Sequence, residues 1–373
     1  MTSTITVTQL VPQLISGGVE VGVLTINRAL IDAGHRSIVI SGGGPLVQAI
    51  KSAGGEHVTM QVWKKSPTTL LTVRKLRRWM RQERPDVIDA ASRIPAWLAW
   101  LAWRRLPVDE RPRFVTSAHG LSRINAYSKV ITFGERVIAV SHTCRDHLLE
   151  GYPDIDPEKV VVVHRGVDPD EFPYGYQPSG DWVQKWFAEF PRLKNQFVAC
   201  LPGRVTRLKG HLDLVQALHL LKQSGVRIHG LIAGGEDPRR RNYSEELRSR
   251  ITELGLTDQV TFAGHRSDLK DVLSVSDVVV SATSTPPESF GLAVLEAVRL
   301  GKITLGYDIG GVKEVLSQVY PEGLVPPNDV KALADRLLQA KDGLLSMPSP
   351  NARFLLSDMQ VGTLRAYSEL YGR

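Results

Sequence analysis

The sequence predicts an α/β protein built from two doubly wound, Rossmann-like domains that face each other across a cleft. Two observations carry this expectation. Strand-like and helix-like segments alternate along nearly all of the 373 residues, the pattern of parallel sheets covered by helices on both faces. The alternation lapses once, at VDPDEFPYGYQPSGD (167–181), a stretch rich in Pro, Gly, Tyr and Asp. It then restarts, which divides a chain too long for one ordinary core into two.

Taken in order, ITVTQLV (5–11) is a strand, PQLISGG a loop, and VEVGVLTINRALIDAG (19–34) a helix by its apolar spacing. HRSIVIS (35–41) is the next strand, and EHVTM, DVIDAA, RFVTSAH, RVIAVS and VVVVHRG continue the series, with helical patterns in most of the gaps. Residues 1–170 are assigned to the first domain and 171–195 to a linker, in which WVQKWFAEF forms a short helix. A second series, QFVACLPGR (196–204), IHGLIAGG, QVTFAG, DVVVSAT and KITLGY, builds the domain over 196–351. SDMQVGTLRAYSELYG (357–372) predicts a final helix, and the segment from about 352 to 373 is expected to pack back on the first domain. In open sheets of this kind ligands sit outside the carboxyl ends of the strands. The motifs described below all fall at such ends.

Bulk composition bounds the class. A hydrophobic fraction of 42% and a charged fraction of 23% are ordinary for a globular protein. Cys144 and Cys200 are the two cysteines, far apart and without metal spacing, so free thiols and a reducing compartment are expected. MTSTITVTQLVPQL has no basic region ahead of its apolar residues and does not read as a signal peptide. The longest apolar run, IPAWLAWLAW (94–103), is too short to span a bilayer. These features predict a cytoplasmic protein.

The net charge of +7 is uneven: residues 1–170 carry 22 Lys and Arg against 16 Asp and Glu. The excess concentrates in WKKSPTTLLTVRKLRRWMR (63–81), which has seven basic residues and no acidic one. A helix from about Thr69 turns Leu70, Val73, Leu76 and Met80 inward and Arg74, Lys75, Arg78 and Arg81 outward. With Trp63 and Trp79 at the headgroup boundary, the segment from Trp63 to Arg81 reads as a contact with an anionic membrane, peripheral at the inner face of the cell membrane. A merely solvated basic face has the same composition. Nucleic acid is not expected as a partner, because no aromatic platform or nucleic-acid motif accompanies the charge.

The chemistry concentrates in TPPESFGLAVLEAVRLG (285–301), where Glu288 and Glu296 stand eight residues apart. Pro286 and Pro287 end an extended run, and Ser289 or Phe290 opens a helix. Glu288 then precedes the helix start and Glu296 lies about two turns in, roughly 10 Å away along the axis. That is about the span from the sugar to the ribose of a nucleotide sugar. Between them the amides of Phe290, Gly291 and Leu292 point out of a helix N-terminus, which favours an anion. Any amphipathic helix can carry two such glutamates, so the pair gains its meaning from the rest of the chain.

In SGGVE (16–20), Gly17 and Gly18 let the backbone approach a ligand, although the turn is not the GxGxxG of dinucleotide sites. In TSAHG (116–120), His119 is placed to hydrogen-bond a sugar hydroxyl from the cleft wall. In GRVTRLKG (203–210), Arg204 and Lys209 are placed to neutralise a diphosphate leaving group. The order of a Walker loop is absent there. LIAGGE (231–236), His265–Arg266 and YDIGGVKEVL (307–316) are further strand-end turns.

In this order and placement, SGGVE, SAHG, VIAVSHTCRDHLL, VVVVHRGVDPDEF, GRVTRLKG, ESFGLAVLE and GGVKEVL resemble the retaining glycosyltransferase family 4, also called glycosyltransferase group 1, of GT-B fold. The resemblance covers nearly the whole chain and is strongest from Val198 to Val315. It implies a catalytic set of Glu288, His119, Arg204 and Lys209. Glu288 would bind donor-sugar hydroxyls, His119 the sugar, and Arg204 and Lys209 the diphosphate. It implies donor binding by Gly17, Gly18, Ser289, Phe290, Gly291 and Leu292, with Glu296 on the ribose. One position departs: Arg165 stands where the family usually has Asn before the Gly.

The implied reaction moves a sugar from a nucleoside-diphosphate sugar, a UDP- or GDP-sugar foremost, to an acceptor hydroxyl with retention. No carboxylate is marked for a double displacement, so front-face attack is expected, with no cofactor and no divalent metal. The basic first domain suggests a glycan or lipid-linked acceptor, as in bacterial cell-envelope glycan or lipopolysaccharide biosynthesis, with a soluble acceptor, as in glycogen, trehalose or small-glycoside synthesis, left open. Two other readings share these residues. One is a nucleotide-sugar epimerase or glycan phosphorylase of the same fold, and the other is a non-catalytic membrane-associated module.

Overall fold

A computed structural model describes residues 4–15, 17–63, 69–236 and 241–371. Lys64 and Lys65 of the basic segment lie outside the described residues. The chain divides into two compact units, Met1–Arg165 with Leu356–Arg373, and Gly166–Leu355.

The first unit runs β1 (Thr6–Leu10), α1 (Gly18–Asp32), β2 (Arg36–Ser41), α2 (Val47–Ser52), β3 (Glu56–Thr59), α3 (Thr69–Glu83), β4 (Val87–Ala90), α4 (Arg93–Trp103), β5 (Arg113–Ala118), β6 (Arg136–Ala139), α5 (His142–Gly151) and β7 (Val160–Val162). Its seven strands are parallel in the order β3-β2-β1-β4-β5-β6-β7. The Val- and Ile-rich central strands are buried along their length, as expected where helices cover both faces. The order reverses between β1 and β4, the switch point at which such sheets bind ligands.

The C-terminal helix, Leu356–Tyr371, completes this unit by burying Met359, Ala366, Tyr367 and Leu370 against Ile5, Val7, Leu30, Val87 and Ile138. Tyr367 also donates a 2.7 Å hydrogen bond to the buried Asp89 carboxylate, which accepts from Ser117 as well. On α3 the inward residues are Val73, Leu76 and Met80. Leu70, expected to face inward, is 66% exposed, because it sits in the first turn, ahead of the part of the helix that packs.

The second unit runs α6 (Gly180–Glu189), β8 (Val198–Pro202), α7 (His211–Gln223), β9 (His229–Ala233), α8 (Arg241–Glu253), β10 (Val260–Phe262), α9 (Leu269–Ser274), β11 (Val278–Ser281), α10 (Leu292–Arg299), β12 (Ile303–Tyr307), α11 (Gly310–Val319), β13 (Leu324–Val325) and α12 (Val330–Lys341). The sheet is parallel in the order β10-β9-β8-β11-β12-β13. Two residues of β13 are too few to give a sequence period.

Residues 171–195 differ from the expected linker. They carry α6, and Trp186 and Leu193 are buried with Val198, Cys200 and Leu231 in the second unit's core. Arg266, in the loop between β10 and α9, lies over the Trp186 ring and forks onto Asp268. Aromatic burial outweighs the turn-rich composition here. Both cysteines are free and buried. Among the described residues no helix is long and apolar enough to cross a membrane.

Candidate functional site

In the second unit the site is assembled by glycines at strand ends. Beyond β8 the chain turns through Gly203 at φ 132°. Gly203 donates to the Ala233 carbonyl at 3.0 Å and Val205 to the Gly235 carbonyl at 3.0 Å, which zips the loops after β8 and β9 together. Gly210, at φ 71°, starts α7 with its Cα against the Ala282 carbonyl, so near that a side chain would collide with it. That approach brings the turn carrying Lys209 beside the loop that follows β11.

Lys209 and Glu288 consequently form an ion pair across 79 residues of sequence. Thr283 adds a second donor, its hydroxyl 3.2 Å from Oε1 of Glu288. The Glu288 backbone is clamped as well, its carbonyl accepting from the Gly311 amide at 2.8 Å. The Lys209 and Glu288 side chains remain 31% and 22% exposed, open enough for a ligand to reach both. Thr283 carried no sequence signal, since only the fold places it within reach. Arg204 is exposed and makes no hydrogen bond or ion pair among the described residues.

The helix after Glu288 begins later than the sequence suggests. It opens at Leu292, with Gly291 as N-cap at φ 93°, and not at Ser289 or Phe290. Phe290 is 3% exposed and packs edge-on to Phe354, which holds Ser289 and Phe290 in the approach to the helix. Gly291 then takes the left-handed turn that a side chain resists. The amides of Gly291 and Leu292 have no acceptor among the described residues, as expected for a helix start. Val294, Leu295, Ala297 and Val298 are buried, leaving Glu296 half-buried in the second turn of α10.

The first unit holds the other motif residues at the ends of β1, β5 and β7. Gly17, at φ 134°, precedes α1, and Gly18 is its first residue. His119 directly follows β5, with Nδ1 shielded from solvent. Burial, with a smaller contribution from the Arg165 guanidinium, pushes its imidazole down to about 3, so the ring is neutral at physiological pH. Arg165 donates to the Gly18 carbonyl. Asp89, one strand from His119, is held above the usual carboxylate range by burial, against the pull of its Tyr367 and Ser117 hydrogen bonds.

Each unit matches a family model: glycosyltransferase family 4 over residues 16–171 and glycosyl transferases group 1 over 183–349. Alpha-maltose-1-phosphate synthase of Mycobacterium tuberculosis is 30% identical over 229 residues, 58% of this chain and 56% of that protein. The chain thus spans about half the length of the curated relatives it matches. Among solved structures, a glycosyltransferase from Rickettsia africae ESF-5 aligns over 98% of both chains with a TM-score of 0.83 and 28% identity. Anabaena Alr3699/HepE, solved in complex with UDP and glucose, aligns over 99% of this chain and 98% of its own, with a TM-score of 0.77 and 20% identity, and shares the fold. Two parallel α/β units in this order, each matched by its own half of the family, identify the chain as a GT-B protein that belongs to the glycosyltransferases of family 4 and group 1.

Proposed function

We propose that this chain is a retaining, metal-independent glycosyltransferase that moves a sugar from a nucleoside-diphosphate sugar to an acceptor hydroxyl. The observation that carries the reading is the Lys209–Glu288 ion pair, braced by Thr283 and set beside the α10 N-terminus. A carboxylate held at fixed geometry next to a cation and two helix-start amides suits a ligand with sugar hydroxyls at one end and a diphosphate at the other.

Glu288 orients the sugar, while Lys209, Arg204 and the amides of Gly291 and Leu292 take the charge that develops on the departing diphosphate. Ser289 and Phe290 line the approach, and Glu296 takes the ribose. Gly17, Gly18 and the neutral His119 serve the same donor from the first unit. In front-face attack the acceptor oxygen bonds to the anomeric carbon on the side from which the diphosphate leaves, the sugar–phosphate bond breaks and the departing phosphate accepts the acceptor's proton. Fixed cations, with no metal, neutralise it.

A thermal-shift panel of nucleoside diphosphates and their sugars in EDTA, on wild type and Glu296→Ala, tests the reading. UDP-glucose is the first donor to try, because the Anabaena neighbour of the same fold holds UDP and glucose. One base should stabilise wild type and do so less in the variant. No shift with any nucleotide, or a shift that appears only when metal is restored, would sink the reading. Donor consumption without any acceptor would point to an epimerase.

The acceptor end is proposed to lie at an anionic membrane, for a lipid-linked or envelope glycan such as a lipopolysaccharide intermediate. Arg74, Lys75 and Arg78 are exposed along α3, with Leu70 and Leu71 exposed at its start. Changing Arg74, Lys75, Arg77 and Arg78 to Glu should abolish sedimentation with anionic vesicles and leave nucleotide shifts intact. Unchanged vesicle binding removes the membrane from the reading.

A further inference from the structure

We propose that Arg165 is a positioning residue that fastens the first turn of α1, thereby fixing the Gly17–Gly18 backbone and the wall of the site around His119. The proposal rests on the donor reading only for what the turn does, not for how the turn is held.

Nη2 of Arg165 donates to the Gly18 carbonyl, 147 residues away in sequence. A helical carbonyl has a second lone pair after its intrahelical bond, so the guanidinium adds to the helix without breaking it. One turn on, Gly22 provides the seat. A Cβ there would lie 3.1 Å from Cζ of Arg165 and closer still to Nη1, so the guanidinium occupies the space a side chain would fill.

Arg165 and His119 also line one small cavity of about 40 Å³ with Gln9, Asp89 and Ser117, beside the sheet's switch point. That is room for ordered water beside these polar side chains, in a lining that is otherwise largely apolar. A cation at a helix N-terminus is opposed by the helix dipole, and Glu20 is the acidic residue in that first turn. Against that opposition, the Gly18 carbonyl and the Gly22 seat both hold the arginine beside the turn.

Hydrogen–deuterium exchange over residues 17–24 and donor kinetics with the donor chosen by the nucleotide panel test this together. In Arg165→Ala the amides of residues 21–24, the first to be held by carbonyls of the opening turn, should exchange roughly tenfold faster, the loss of one charge-assisted hydrogen bond. Donor KM should rise about tenfold with kcat nearly unchanged, because the turn holds phosphate alike in ground and transition states. Gly22→Ala keeps Arg165 but fills its seat, and should reproduce both effects. The double variant should be no worse than Arg165→Ala alone.

Unchanged exchange in Arg165→Ala, or additive effects in the double variant, overturns the proposal. If wild type turns over no nucleoside-diphosphate sugar, the donor reading fails and the exchange comparison alone decides the role of Arg165. Should Gly22→Ala fail to fold, Arg165→Ala decides by itself.

Discussion

Glu288→Gln is expected to lower kcat/KM for sugar transfer by about 10²–10³-fold, the range seen when one preorganised polar contact at a reacting centre is removed. The substitution keeps the shape and removes the charge. Its companion effect is sharper. Lys209 is paired with Glu288, so neutralising the carboxylate releases the ammonium to a phosphate. UDP, which has no sugar for Glu288 to hold, should bind Glu288→Gln as tightly as wild type or tighter, while Lys209→Ala loses UDP binding and transfer together. Both side chains are partly exposed, so melting temperatures should stay near that of wild type. Calorimetric titration of UDP beside steady-state transfer separates the outcomes. Equal loss of UDP affinity in both variants would mean that the pair is a structural brace and not the division of labour proposed for it.

Tyr367→Ala is expected to destabilise the first unit by about 3–5 kcal/mol, the cost of emptying a buried aromatic site. The ring is fully buried between the C-terminal helix and the sheet, and its hydroxyl supports Asp89. Tyr367→Phe isolates the second part and should cost about 1–3 kcal/mol, with a pH dependence of defined sign. Burial raises the Asp89 carboxyl in the folded chain above its unfolded value of 3.8, and the Tyr367 and Ser117 hydrogen bonds oppose that rise. Between the two values the folded state binds the extra proton, so stability is highest below the unfolded value and falls as pH rises through the folded one. Removing the tyrosine hydroxyl lifts the folded value further and widens the window upward. Urea unfolding over a pH series should therefore show Tyr367→Phe losing more stability relative to wild type at the alkaline end than at the acid end. A cost independent of pH would show that Asp89 does not titrate with folding.

The same residues mark where sequence reasoning reached and where it stopped. The alternation of strand and helix, its division into two series, the strand-end position of the turn motifs and the C-terminal helix all follow from local periodicity and from Gly and Pro at turns. Such patterns depend on neighbours within a few positions. They placed Gly17, His119, Arg204, Lys209 and Glu288 at strand or helix ends, and Glu296 within the helix that follows, without any knowledge of what faces them.

Tertiary packing decided the rest. α10 starts at Leu292 because Phe290 is anchored against Phe354 and Gly291 must turn left-handed. Residues 171–195 join the second core because Trp186 is buried there. Lys209 meets Glu288 and Thr283 because Gly210 can lie against Ala282. Arg165 reaches Gly18, and Tyr367 reaches Asp89, across 147 and 278 residues. Pairings at that separation leave no period in the sequence. They arise only when glycines let backbones approach and when buried polar groups, costly to leave unpaired, find whichever partner the packed core offers.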